Sequence, residues 1–270
     1  MEHFVCYSIG QMGRIIAVAN QKGGVGKTTT VVNLGASLAA AERETLVVDL
    51  DPQSNTTSGF GKSKHQTENI HDTLVYGKPV VEIYLSTELE HLKLVPAHRD
   101  LAGAEIELLN MPEREYRLKA ALQPISSHFD FVLIDCPPSL GILTVNALCA
   151  ADSVLVPIQC EYFALEGLAD LMDTLQRIRH QFNEKLKIEG ILLTMFDDRT
   201  NLAKQVREDI AKHFGDSLLK TVIPRNIRLG EAPSFGKPVL LYDIKSRGAE
   251  AYLHLAREIL KHGYQKKGAR

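Results

Sequence analysis

The sequence predicts one α/β domain, a doubly wound and mostly parallel central sheet flanked by helices on both faces. Three observations carry that prediction. Apolar runs of strand length alternate with helical patterns along the chain. Most of those runs are apolar at every position, which suits strands covered on both sides. The first run passes through a glycine-rich turn into a helix, and two later runs end in aspartate, as expected where a ligand sits beyond the carboxyl ends of parallel strands.

The elements follow in order. Residues Arg14 to Asn20 form the first predicted strand, Lys22 to Thr29 a tight loop, and Thr30 to Ala41 a helix in which Val31, Leu34 and Leu38 recur at helical spacing. Further strands are predicted at Thr45 to Asp49, Leu92 to Val95, Phe131 to Ile134, Ser153 to Ile158, Ile188 to Thr194 and Thr221 to Ile223. Helical patterns cover Leu140 to Ala150, Glu161 to Phe182, Asn201 to Phe214 and Ala249 to His262. The polar stretch from Gly59 to Thr67 reads as a mobile surface connection without chemistry. No internal repeat, linker or composition break divides the 270 residues, a length that suits one large domain.

Composition bounds the function. Hydrophobic content of 44% and charge of 24% are ordinary for a globular chain, and no apolar run approaches the ~20 residues needed to cross a bilayer, so a cytoplasmic protein is expected. Residues 1–12 lack the basic start and long apolar centre of a secretory signal. Because Met12-Gly13 stands directly before the first strand, 1–12 is expected to be an N-terminal extension and 13–270 the domain. Four cysteines without paired close spacing support neither a zinc site nor a disulfide framework, and ten scattered histidines show no metal-binding spacing. The net charge of −2 hides an asymmetry: residues 199–270 carry 15 basic and 7 acidic side chains, the rest 16 and 26. A basic C-terminal third can attract a polyanion.

The loop Lys22-Gly23-Gly24-Val25-Gly26-Lys27-Thr28-Thr29 is where phosphates are expected. Glycines let the backbone approach phosphate oxygens, and the unpaired N–H groups and positive dipole end of a helix N-terminus favour an anion. Lys27 would reach the β- and γ-phosphates, and the Thr28 hydroxyl would coordinate Mg²⁺. The common pattern G-x-x-x-x-G-K-[ST] would need glycine at position 21, where this chain has Gln21, followed by a second cation, Lys22. Two lysines on one short loop repel each other unless phosphate charge or a partner chain compensates. The spacing resembles that of the deviant P-loop ATPases, and the resemblance implies that Lys22 contacts a nucleotide across a dimer interface.

Two acids complete the predicted site. Asp51 follows the strand Leu46-Val47-Val48-Asp49 and is the choice for orienting or deprotonating an attacking water, with a possible water-mediated link to the metal. Asp49, two residues earlier, would face the same side in an extended chain. Asp135 ends the run Phe131-Val132-Leu133-Ile134 and suits a carboxylate that holds Mg²⁺ directly or through water. Phosphoryl transfer asks mainly for charge neutralisation and an in-line water, so Lys22, Lys27, Mg²⁺ and Asp51 suffice without a covalent nucleophile.

Beyond the loop, the stretches Asp49–Gln53, Leu101–Leu108, Ile134–Gly141, Gln159–Leu168, Leu193–Asn201 and Val222–Ser234 resemble the ParA/Soj family of chromosome and plasmid partitioning ATPases, in order from about Gly13 to about Leu260. The resemblance implies an ATP-dependent homodimer that binds double-stranded DNA without sequence preference. It also implies ATP hydrolysis stimulated by a ParB-type centromere-binding partner, and a cytoplasmic, nucleoid-associated protein. By matching position it implies that Pro224 and Asn226 lie against the adenine and that Arg199 and Arg228 bind DNA. The few residues before Arg14 cannot form the N-terminal DNA-reading domain of the larger plasmid forms, so operator-specific autorepression is not expected.

Two rival functions stay open at this stage. A membrane-cycling positioning ATPase like MinD shares the loop and acids, but the basic stretch Lys261–Arg270 lacks the apolar face of an interfacial helix. An iron–sulfur enzyme on the same scaffold would need more than Cys136 beside Asp135.

Overall fold

The computed structural model describes residues 13–265; the expected extension 1–12 lies outside the described residues. The chain runs β1 (Arg14–Val18), α1 (Lys27–Ala39), β2 (Thr45–Asp49), α2 (Asn55–Gly59), α3 (Ile70–Tyr76), α4 (Val80–Ile83), β3 (Leu85–Ser86), β4 (Leu92–Val95), α5 (Leu101–Glu107), α6 (Arg117–Leu122) and β5 (Phe131–Asp135). It continues with α7 (Ile142–Ala150), β6 (Ser153–Gln159), α8 (Ala164–Gln181), β7 (Lys187–Phe196), α9 (Asn201–Phe214), β8 (Leu218–Pro224), α10 (Ile227–Glu231), α11 (Val239–Tyr242) and α12 (Arg247–Gln265).

The strands form one eight-stranded sheet in the order β3-β4-β2-β5-β1-β6-β7-β8, parallel throughout except for the short β3, which pairs antiparallel with β4. Why the strands are apolar at every position is visible in the packing. Ile15 and Ala17 of β1 enter a core beneath α3 to α9, whereas Ile16 and Val18 enter a second core beneath α1 and α12. Successive side chains of a strand point to opposite faces, so a strand covered on both faces buries all of them.

Two differences from the sequence reading have physical causes. The helix expected from Thr30 already begins at Lys27, because Gly26 at φ 88° takes the left-handed cap that turns the loop into the helix, and the Gly26 carbonyl accepts from the Thr30 N–H. The connection expected to be mobile over residues 59–67 is anchored instead. Phe60 is buried in the second core, Gly61 packs on the backbone of Gly236, and the Lys64 ammonium donates to the Gln53 carbonyl and to Asn55 Oδ1. A buried aromatic, a close backbone approach and a lysine bonded at two acceptors hold the stretch in place.

Parallel pairing brings the carboxyl ends of β1, β2 and β5 together. Asp135 lies in register with Val18 on one side and with Asp49 on the other. The two strand-terminal acids therefore sit side by side below the loop that leaves β1.

Candidate phosphate and metal site

The loop between β1 and α1 is held by bonds from three directions. Asn20 Oδ1 accepts from the Lys22 N–H and its amide donates to the Pro157 carbonyl of β6. Thr194 of β7 donates from its hydroxyl to the Val25 carbonyl at 2.8 Å. Gly24 and Gly26 take φ values of 74° and 88°, the left-handed region that glycine enters without a Cβ penalty. The result is a turn tied to β6 and β7 at the point where β1 passes into α1.

Lys27 is nearly buried at 7% exposure, and its ammonium donates to the Lys22 carbonyl at 3.1 Å. Burial lowers its pKa, opposed by the charges of Asp135, Cys136 and Asp51. Lys22 points elsewhere: its ammonium meets Glu161 at 2.6 Å, and both side chains are about half exposed. The lysine expected to serve a partner chain is thus engaged by a carboxylate of its own chain.

Asp135 is wholly buried, and its Oδ2 accepts from Thr28 Oγ1 at 2.8 Å and from Thr56 Oγ1 at 2.6 Å. Its Oδ1 has no hydrogen-bond partner among the described residues. Burial pushes its pKa up, helped by the charge of Asp51 and opposed by the two threonine hydroxyls and Lys27. Asp49 is also wholly buried and raised, first by burial and then by the charge of Asp135. It is satisfied by the Thr57 hydroxyl and N–H at 2.6 and 2.7 Å and by the Asp51 N–H at 3.2 Å. Asp49 and Asp51 therefore do not share a role. Asp49 knits the β2–α2 turn, whereas Asp51, at 8% exposure, accepts from the Gln53 N–H through one oxygen.

A divalent cation fits this donor set. A buried carboxylate oxygen without a partner is costly unless a cation or water meets it, and Asp135 Oδ1 is such an atom beside the Thr28 hydroxyl. Sequence reasoning found Thr28 and Asp135 but missed Thr56, Thr57, Thr194 and Glu161. Three hydroxyl side chains, Ser54, Thr56 and Thr57, within a few residues of an acid-ending strand were the available signal for two of them.

Pro224, Asn226, Arg199 and Arg228 lie at or just beyond the ends of β7 and β8. The Arg225 N–H donates to the Phe196 carbonyl and so ties the two loops together. Asn226 caps α10 by accepting from the Arg228 N–H. Arg199 is bound through two nitrogens to Asp197, at 2.8 and 2.7 Å. The Arg199 hydrogen bonds hold Asp197 well below the usual carboxylate range, at about 2. Arg228 meets Glu231 at 2.7 Å and Asp243 at 3.2 Å. Among the cysteines, burial pushes the Cys136 thiol up, that of Cys149 to about 12 and that of Cys160 to about 11, so all three are poor thiolates. Cys6 lies outside the described residues.

Comparison with known proteins agrees with this geometry. A protein-family profile described as an AAA domain matches residues 13–188. The chain is 56% identical over 251 residues to the chromosome partitioning protein ParA of Myxococcus xanthus, covering 93% of this chain and 89% of that one. It is 56% identical over 253 residues to the sporulation initiation inhibitor protein Soj of Bacillus subtilis, covering 93% and 100%. Among solved structures, a cobyrinic acid a,c-diamide synthase from Mycobacterium smegmatis with bound ADP and magnesium superposes with a TM-score of 0.82 at 40% identity, covering 94% of this chain and 96% of that one. With a phosphate-type loop over two strand-terminal acids and such likeness along nearly its whole length, the chain belongs to the ParA/Soj family of chromosome-partitioning ATPases.

Proposed function

We propose that this protein is an ATP-switched DNA-segregation ATPase: ATP with Mg²⁺ joins two chains, the pair binds duplex DNA without sequence preference, and a ParB-type partner stimulates hydrolysis to ADP and phosphate. The observation that carries the reading is the partnerless Asp135 Oδ1 beside the Thr28–Asp135 hydrogen bond, next to a nearly buried Lys27. The ADP and magnesium bound by the Mycobacterium smegmatis relative support the same ligands here. Thr28 would hold the metal directly, Asp135 through water, and Asp51 possesses a free carboxylate oxygen suited to a further water-mediated link. When bound, Mg²⁺ supplies neutralisation of phosphate charge.

The chain's own residues do the rest. The peptide groups from Gly23 to Thr29 line the phosphates, and Pro224 and Asn226 border the adenine. Lys27 supplies a fixed cation already desolvated by the fold, where its attraction for phosphate is stronger than in water. Asp51 accepts the proton of, or orients, the attacking water. Lys22 leaves Glu161 to reach the nucleotide of the partner chain, which makes association part of the site. Arg199 and Arg228 add DNA-phosphate contacts. The expected setting is the cytoplasm, on the nucleoid.

A membrane-anchored reading is disfavoured by the sequence of the basic stretch Lys261–Arg270, of which 266–270 lie outside the described residues; within α12, Ala249, Tyr252, Leu255, Ala256 and Ile259 are buried in the second core and so do not face lipid. No helix among the described residues is long and apolar enough to cross a membrane.

The test is mass-resolved chromatography and DNA retention with ATP, ADP or no nucleotide, on the wild type and on Asp51→Ala. The wild type is expected to dimerise and hold DNA with ATP alone. Asp51→Ala is expected to persist as an ATP dimer on DNA, with phosphate release slowed about 10²-fold or more. A wild type that stays single and ignores duplex DNA in every nucleotide state refutes the reading, and rapid turnover by Asp51→Ala refutes the role of that acid.

A further inference from the structure

The free edge of the sheet carries a groove of about 1070 Å³ running from the Asp197–Arg199 turn past β8 to the first turns of α12. The two arginines picked from the sequence are the tethered ones, since Arg199 and Arg228 are both held by carboxylates. Four other cations line the groove: Arg207 of α9, Lys220 of β8, Arg225 of the following loop and Arg247 of α12. All four are exposed and enter no ion pair among the described residues. Arg207 is steadied by lying over the Phe196 ring. Of the three acids in the groove, Asp197 is committed to Arg199, leaving Asp198 and Glu250 against the four.

The chemistry of the occupant follows from what the groove lacks. A strand cannot add to this edge cheaply, because the Lys220 and Thr221 N–H groups already donate to Glu258 at 2.8 and 2.9 Å. A neutral ligand would leave the excess positive charge unanswered. Cations spread over α9, β8 and α12 suit a linear polyanion that follows the groove. We propose that this groove is the principal track for a DNA phosphate backbone, with Arg207, Lys220 and Arg247 as its contacts and Arg199 at one end. The inference rests on the DNA reading above and extends it to residues which that reading did not include.

The experiment is fluorescence anisotropy of a labelled, random-sequence duplex with the full chain and a slowly hydrolysed ATP analogue, across a KCl series. The variants are Arg207→Gln, Lys220→Gln, Arg247→Gln and their triple combination. Arg257→Gln, an exposed α12 change outside the groove, controls for net charge. Arg225 is left intact because it lies between Pro224 and Asn226. Because the bound pair presents each side chain twice, each groove variant is expected to lower the slope of log K against log salt by about 2, and the triple by about 5. Arg257→Gln should follow the wild type, and thermal melting checks that every variant is folded. Groove variants that behave like Arg257→Gln overturn the inference. If Arg199→Ala and Arg228→Ala still weaken binding in that case, the DNA reading stands without it. A wild type that ignores the duplex removes both.

Discussion

Thr56→Val isolates one bond at the centre of the site. Thr56 is fully buried, and its hydroxyl donates to Asp135 Oδ2 at 2.6 Å while Thr28 supplies the second bond at 2.8 Å. Valine keeps the shape and deletes only the donor. A hydrogen bond to a charged group contributes about 1.5–3 kcal/mol. With an unfolding entropy of about 2.1 cal/mol/K per residue, a chain of this length shifts its melting midpoint by about 2 °C per kcal/mol, so the variant should melt about 3–5 °C lower. Burial raises the Asp135 pKa, and loss of a donor to the carboxylate raises it further, so the deficit should be largest where the wild-type acid is ionised and should shrink on acidification. The assay is calorimetry without nucleotide at about pH 8, above the raised Asp135 value, and at about pH 5, below it. A variant that melts with the wild type at the higher pH, or one whose deficit is the same at both, refutes the argument that Thr56 stabilises a charged Asp135.

The same pair of buried acids sets a pH dependence. Folded Asp49 and Asp135 both have pKa values raised above 3.8, so the folded chain holds its protons longer than the unfolded one. Nucleotide-free stability should therefore fall as pH climbs from about 4 through the raised values and then level off. Asp135→Asn should flatten that fall; melting curves that drop equally in both proteins would contradict it. Gly236→Ala tests the anchoring of the connection after α2. Its φ is 62°, and a Cβ there would lie 2.6 Å from the Gly61 Cα, so a loss of about 2–5 kcal/mol is expected in denaturant titration. A loss below about 0.5 kcal/mol, the size of an ordinary surface change, would show that the contact gives way freely.

The sequence by itself determined the doubly wound class, the glycine-rich turn between β1 and α1, and the acids at the ends of β2 and β5. These features are local: strands apolar at every position, glycines at a strand-to-helix turn, and an aspartate where an apolar run stops can each be read within a few residues. Only the tertiary structure decided which groups meet. Parallel register set Asp49 beside Asp135 and turned one of them to a structural task. Folding of α2 under β2 brought Thr56 and Thr57 to those acids, and β6 and β7 brought Glu161 to Lys22 and Thr194 to Val25. Glu161 and Thr194 lie more than a hundred residues from their partners, and no spacing rule connects them. The groove beside β8 was equally illegible, because a linear count of charge places basic residues in one third of the chain without saying which are tied to carboxylates and which share a surface. Contacts between distant segments depend on strand order and register, and those are properties of the packed sheet rather than of any one segment.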